Sequence, residues 1–500
     1  MLGGYTILRS PNPGVSLATS ARFRSTLTLS PLSPPNPPSD DEGDTITLTV
    51  ESSQFHTVYT YLYTCSTSSL TLTESSTVPT GLVKRPSSPP SPTSPTFEST
   101  HGNKYVQACV ETTLEYFRPQ NNNGVPNLTI QLHGDREFYT GEPQQHNNNG
   151  SSSTPQPYVA PIVNDVTTPT SKTVSVQKTG LGSSACLCTS LVSTISHYFN
   201  PSLSLHTIHK IAQVAHCEAQ GKVGSGFDVA TAVYGSCFYT RFTPWDTTRE
   251  EEGIRSKVVR DWDYSCSSID VTTRGWSLML GDVMGGSESE GMARKVMKFV
   301  NGGEDEGGVW RGLEEKVKEG VNIVKEGTGG RDDDLEVREK HNGEVREKVK
   351  EVRRALKRLG ELAEVGIEPD EQTELCDGTT AIEGVVCAGV PGAGGRDAIY
   401  AIVEDGVAKG RVEELWRGWG GGGKVRWIEG VDFDREGGLV VEVEGEGGTR
   451  RTLKGKGRLE EVGGWGIKRL LKECRDLGLS VGGCVEKGEI VDKLKEMGYC

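Results

Sequence analysis

Two glycines and two serines in Lys178-Thr-Gly-Leu-Gly-Ser-Ser-Ala185 have the types and spacing of a turn that closes on an anion. Gly180 and Gly182 lack a Cβ and reach positive φ, so backbone N–H groups around them can approach a phosphate. Before them runs an alternating segment, Thr173-Val174-Ser175-Val176, and after them an apolar stripe at Cys188, Leu191, Val192, Ile195, Tyr198 and Phe199, ended by Pro201. The pattern predicts a strand, a turn and a helix capped by Ser183 or Ser184. Such a helix points unpaired N–H groups and its positive dipole end into the turn. A glycine turn that caps a helix and holds no ligand has the same signature, so the rest of the chain must decide.

Three further stretches bear on that decision. A short helix, His209 to Cys217, runs into Ala219-Gln-Gly-Lys-Val-Gly-Ser-Gly-Phe-Asp228, where Gly224 and Gly226 break it and Asp228 opens the apolar run Val229 to Tyr234. A carboxylate at a loop-to-helix junction is either an N-cap or a group facing a ligand. His206, His209 and His216 have no companion ligand cluster in the sequence, and read as surface or core histidines rather than metal ligands. Downstream, Leu278 to Val283 predicts a strand, Gly285-Gly-Ser-Glu-Ser289 a turn, and Met292 to Val300 a helix carrying Arg294 and Lys295. A second glycine loop, Gly389-Val-Pro-Gly-Ala-Gly-Gly-Arg-Asp397, separates the apolar runs Ile382 to Ala388 and Ala398 to Val403.

The elements that must position these residues fit a chain of 500 residues, room for two or three domains. Period-two alternation over 45–50 and 128–132 predicts strands, and 105–117 a helix. Segments 31–44 and 85–98, rich in Pro and Ser, and 141–157, rich in Gln, Asn and Ser, have too little apolar content to pack and read as disordered insertions. Residues 302–343 read as a charged, solvated insertion. Val345, Val349, Val352, Leu356 and Leu359 predict an amphipathic helix. Residues 460–500 read as two short helices about a turn, similar to SAP-like modules, with too little basicity for DNA and a protein-docking or merely appended role as the better expectation. A formal charge of −14 disfavours a nucleic-acid binder, and no apolar run reaches membrane-spanning length. Twelve scattered cysteines without a C-x-x-C pair read as reduced packing thiols, and the expected compartment is the cytoplasm.

Taken in order over residues 1 to 445, these segments resemble the GHMP kinase superfamily and, within it, the phosphomevalonate kinase family of fungi and plants. The resemblance is carried by Phe55 in Ser-Gln-Phe, Gly134-Asp135 with Phe138-Tyr139, Lys178 to Ala185, Ala215-His216 with Ala219 to Tyr234, Gly281-Asp282-Val283 with Gly286-Ser287, Glu368-Pro369 with Gln372-Thr373, and Pro391 to Asp397. Arg396 departs from it, standing where the family has an aromatic residue. The resemblance implies an α+β fold of two domains, 1–260 for nucleotide binding and 261–445, followed by the 460–500 module.

It also implies transfer of the γ-phosphoryl group of ATP, with Mg²⁺, to 5-phosphomevalonate, giving 5-diphosphomevalonate for isoprenoid and sterol synthesis. Another GHMP small-molecule kinase and a catalytically inactive GHMP-like interaction protein are the alternatives. By the resemblance Lys178, Gly180, Leu181, Gly182, Ser183, Ser184 and Ala185 hold the nucleotide phosphates, and Ser184 reaches the magnesium. Asp228 orients the attacking oxygen, and Lys222, Ser225, Ser287, Ser289, Arg294, Gly392, Ala393, Gly394 and Gly395 line the substrate. The family places a Gly-Lys segment before its Gly-Gly-Tyr turn, here Gly3-Gly4-Tyr5. The expectation is that the natural start lies upstream and that protein made from Met1 is poorly stable and nearly inactive.

Overall fold

The computed structural model describes residues 1–9, 11–29, 44–52, 57–65, 70–79, 103–117, 127–140, 177–245, 253–271, 274–283, 291–303, 308–327, 335–396, 398–404, 406–421, 424–444 and 450–454. The first part of the chain runs β1 (Pro13–Ser16), β2 (Phe23–Leu29), β3 (Asp44–Ser52), β4 (Thr57–Cys65), β5 (Leu70–Pro79), α1 (Lys104–Phe117), β6 (Leu128–Gly134), β7 (Tyr139–Thr140), β8 (Gln177–Lys178), α2 (Ser183–Phe199), α3 (Leu205–Gln220), α4 (Phe227–Tyr234), β9 (Cys237–Thr240), α5 (Ile254–Val259) and β10 (Ser265–Ser268). The second part runs β11 (Ser277–Val283), α6 (Met292–Asn301), α7 (Val309–Gly327), α8 (Leu335–Leu362), α9 (Asp370–Thr380), β12 (Val385–Gly389), β13 (Ala398–Val403), α10 (Gly406–Gly418), β14 (Val425–Trp427), β15 (Val440–Glu444) and β16 (Arg450–Lys454).

Alternation builds the first layer. Ile46, Leu48 and Val50 of β3, Tyr59, Tyr61 and Tyr63 of β4, and Leu128, Ile130 and Leu132 of β6 all point to one buried face, while the threonines between them face outward. These strands lie in the sheet β2-β6-β3-β4-β5, with β3 parallel to β6 and the other pairs antiparallel. Helices α1, α2 and α3 cover that face, and Val106, Val110, Leu114, Leu191, Ile195, Ile211 and Val214 complete one core. The second layer is the sheet β12-β13-β11-β14, whose central strand β13 buries Ile399, Tyr400, Ala401, Ile402 and Val403 because both faces are covered. Helix α8 lays Val345, Val349, Val352 and Leu359 against one side, and Trp416 of α10 packs on the other. A third sheet, β1-β9-β10, joins the two layers.

The charged stretch near 302–343 is not the solvated insertion expected from composition. Helix α7 buries Trp310, Leu313, Val317, Val321 and Val324 at helical spacing, and Gly320 leaves room for the Leu2 side chain beside it. The stripe is diluted by Lys and Glu on the other face, which hid it from a reading by composition. The expected insertions at 85–98 and 141–157, nearly all of 31–44, the strand expected over Thr173 to Val176 and the 460–500 module lie outside the described residues. Among the described residues no helix is long and apolar enough to cross a membrane.

Candidate active site

Residues 179–185 form the expected turn and the start of the expected helix, entered from the two-residue strand β8. Lys178 pairs through its backbone with Tyr139, and Thr179 ties the turn down by donating to the Phe138 and Glu137 carbonyls. Gly180 and Gly182 take φ of +77° and +72°. Leu181 anchors between them by packing on buried apolar neighbours. The cap is not the expected one: Gly182 is the N-cap, no side chain bonds the first amides, and Ser183 and Ser184 lie inside the helix. A left-handed N-cap is open to glycine but strained for serine, so the serines move one turn-position inward. The first-turn amides of Ser183, Ser184 and Ala185 are left available, no acidic residue stands in the helix's own first turn, and the serine hydroxyls are released for other work.

Asp228 is likewise not a cap. Gly226, at φ +82°, caps α4, and a Cβ there would collide with Tyr239 and crowd Gln213. Asp228 sits in the first turn, with Oδ1 accepting from the Val229 amide at 3.0 Å and its side chain 38% exposed. The two glycine-capped helix ends face each other, since a Cβ on Gly182 would lie 3.7 Å from Cβ of Asp228. Burial first, and then the Asp228 carboxylate, push the Cys186 thiol up to about 12 against an opposing pull from Arg22, so this cysteine stays protonated beside the turn.

Between these ends lies a residue to which the sequence assigned no role at the site. His216, on α3, is 2% exposed, and its Nε2 lies 3.1 Å from Ser184 Oγ, 3.2 Å from Gln220 Nε2 and 3.8 Å from Asp228 Oδ2. Nδ1 has no partner among the described residues. Tyr105 stacks obliquely with ring centroids 5.7 Å apart, and its hydroxyl bonds Gln220 and Ser184; burial, only partly offset by those bonds, raises its pKa. His216 falls four residues before Gln220, one helical turn, a spacing that would have put both side chains on one face toward the loop.

The second glycine loop is tied to this region through the opening segment of the chain. Gly392, Gly394 and Gly395 all have positive φ, the Gly395 amide donates to the Ile367 carbonyl at 2.8 Å, and any Cβ on Gly394 would collide with that carbonyl. The Tyr5 hydroxyl donates to the Ala393 carbonyl at 2.6 Å, and a Cβ on Gly4 would sit 2.9 Å from the Gly392 carbonyl oxygen. A Cβ on Gly14 of β1 would in turn collide with the Phe227 ring, next in sequence to Asp228. Thus the turn at Gly3–Tyr5 lies against the loop and β1 lies against the start of α4. Lys222 is exposed on the α3–α4 loop, Ser225 accepts from the Phe227 amide at 3.4 Å, and buried Arg241 holds that loop by donating to the Val223 and Leu8 carbonyls.

Arg294 is exposed on α6, and no described contact joins it to either glycine loop. Ser287 and Ser289 lie outside the described residues.

Among the described residues no three His, Cys, Asp or Glu side chains gather as a metal cluster. Magnesium keeps most of its waters and takes one or two protein oxygens alongside substrate phosphates. Ser184 and Asp228 offer a hydroxyl and a carboxylate that approach one imidazole nitrogen from two helix ends.

Residues 164–236 match the GHMP kinases N terminal domain. The chain is 39% identical over 266 residues to a phosphomevalonate kinase of Gibberella zeae, covering 49% of this chain and 57% of that relative, so the match spans little more than half its length. It is 29% identical over 461 residues to the peroxisomal phosphomevalonate kinase of Arabidopsis thaliana, covering 80% of this chain and 87% of that one. In structure it is similar to Streptococcus pneumoniae phosphomevalonate kinase solved with phosphomevalonate and AMPPNP, at a TM-score of 0.52 and 14% identity over 86% of this chain and 95% of that one. These findings bear out the resemblance read from the sequence, and the α+β fold is that of the GHMP kinases.

Proposed function

We propose that this chain, with its GHMP kinase N-terminal domain and fold, is an ATP-dependent phosphomevalonate kinase that converts 5-phosphomevalonate to 5-diphosphomevalonate. The observation that carries the reading is the meeting of two glycine-capped helix ends, one lined with free amides and one bearing Asp228. Phosphoryl transfer needs in-line placement and neutralised charge more than covalent chemistry. The amides of residues 180–185 would cradle the nucleotide phosphates, with Lys178 leading into the turn. The acceptor oxygen is already anionic, so Asp228 has no strong base to play; it orients that oxygen and holds its charge in line.

Gly392 to Gly395 carry the acceptor's backbone contacts, with Lys222 and Ser225 at the opposite rim. Ser184 and Asp228 would hold magnesium, which when bound shields the negative charge that gathers on the transferring group. That the Streptococcus pneumoniae enzyme was solved with phosphomevalonate and AMPPNP supports the same pair of substrates here. The Arabidopsis relative is named peroxisomal, and the cytoplasm is our reading for this chain, to be checked by imaging a tagged copy.

A coupled assay of ADP release is the test. Turnover with 5-phosphomevalonate is expected to exceed that with mevalonate by orders of magnitude. Preference for mevalonate or a sugar would move the chain to another GHMP kinase activity, and no turnover with any acceptor would leave an interaction protein.

A further inference from the structure

Every polar contact described for the His216 ring falls on Nε2. That atom reaches Ser184 in the phosphate turn, Asp228 at the facing helix end and Gln220 on its own helix, while Nδ1 meets no described partner. The ring is 2% exposed and Tyr105 closes over it, so water does not compete for these contacts. Ser184 and Asp228 come from helices that are separate in sequence, and no hydrogen bond between them is described. The imidazole is the group both of them approach.

We propose that His216 is a positioning residue that sets the spacing between Ser184 on the nucleotide side and Asp228 on the acceptor side, acting through Nε2 alone. The proposal rests on the phosphoryl-transfer reading above. It assigns no proton transfer to the ring. In-line transfer tolerates little error in the distance between donor and acceptor, so a lost spacer reaches kcat before it reaches binding. A glutamine side chain carries its amide to the Nε2 position, whereas asparagine reaches only the Nδ1 position.

The experiment compares His216→Gln with His216→Asn. Asparagine is expected to lower kcat by about 10- to 100-fold, in the range seen when supporting residues around a site are removed, with the ATP KM within about threefold. Glutamine is expected to restore kcat to within about fivefold of the wild type. In a double-mutant cycle, His216→Asn should add little to Asp228→Asn, because the two changes disrupt one unit. Equal losses in Gln and Asn variants, fully additive losses, or a kcat loss that merely follows a lowered melting temperature would overturn the proposal.

A second measurement does not need turnover. In protein labelled with ¹⁵N in its imidazoles, the His216 Nε2 resonance is expected to shift on Ser184→Ala and again on Asp228→Asn, and an unmoved resonance overturns the assignment. Wild-type protein inert toward 5-phosphomevalonate, but with both shifts present, would sink the functional reading and leave the spacer standing.

Discussion

Asp228 keeps one carboxylate oxygen on its own helix and turns the other toward His216, so it is held from two sides yet 38% exposed. Its asparagine variant is therefore expected to fold with an unchanged melting temperature and to lose about 100-fold in kcat, since it removes charge while keeping shape. Unchanged turnover with a lowered melting temperature would show that it serves only the helix. His209 makes the opposite kind of prediction. It is wholly buried against Tyr234, Trp262 and Tyr264, and burial first, then His206 and Lys210, push its pKa down to about 3. The unfolded chain binds a proton there near pH 6.5 and the folded chain does not, so stability falls as pH drops below about 6.5, by up to about 1.4 kcal/mol per pH unit. Urea midpoints of His209→Phe should fall less steeply than wild type between pH 6.5 and 4; parallel curves would count against it. Both histidines looked alike in the sequence, where only the fold separates a ring sealed among aromatics from one set between two helix ends.

At the scale of elements, the glycine loop at 391–395 depends on what stands behind it. Gly394 and Gly395 lean on the Ile367 carbonyl, and the next residue, Glu368, is buried in a two-pronged ion pair with Arg353 of α8 at 2.7 and 3.0 Å. Asp377 adds a third, more exposed prong at 2.8 Å. Arg353→Met leaves the Glu368 charge unpaired and is expected to cost about 3–5 kcal/mol in chemical unfolding, while Arg353→Met with Glu368→Leu recovers most of that loss. A double variant as unstable as the single one would refute this account. Gly180 and Gly394 both have positive φ but differ in surroundings. A Cβ on Gly180 meets nothing within 4 Å, whereas one on Gly394 meets the carbonyl that the loop rests on. Gly180→Ala is thus expected to cost only the backbone strain, about 1 kcal/mol, and Gly394→Ala to displace the loop and raise the acceptor KM more than the ATP KM. The loops, the facing helices and the α8 stripe were legible because glycine, Asp and apolar spacing announce them locally. Helix α7 was not, since its five buried positions are scattered through Lys and Glu, and the Arg353–Glu368 pair was not, since it joins residues from separate elements.

Across the whole molecule, the first 22 residues hold the layers together. Tyr5 bonds Ala393, Ser20 donates its amide to the Asp432 carbonyl at 2.8 Å, and Arg22 pairs with Asp434 and donates to the Gly438 carbonyl at 2.7 Å. Removing the Tyr5 hydroxyl as Tyr5→Phe leaves the Ala393 carbonyl without that donor, and is expected to cost about 0.5–1.5 kcal/mol and to raise the acceptor KM; equal KM values for the two proteins would place the loop's support elsewhere. These partners are far apart in time as well as in sequence. A ribosome adding about 5–20 residues per second reaches Gly438 roughly 20–80 s after Arg22 has been made. For that interval the opening segment lacks its contacts to the second layer. Helices α2 and α4 can pack before the second glycine loop exists, so the contacts by which the opening segment ties the two layers together form late on the nascent chain.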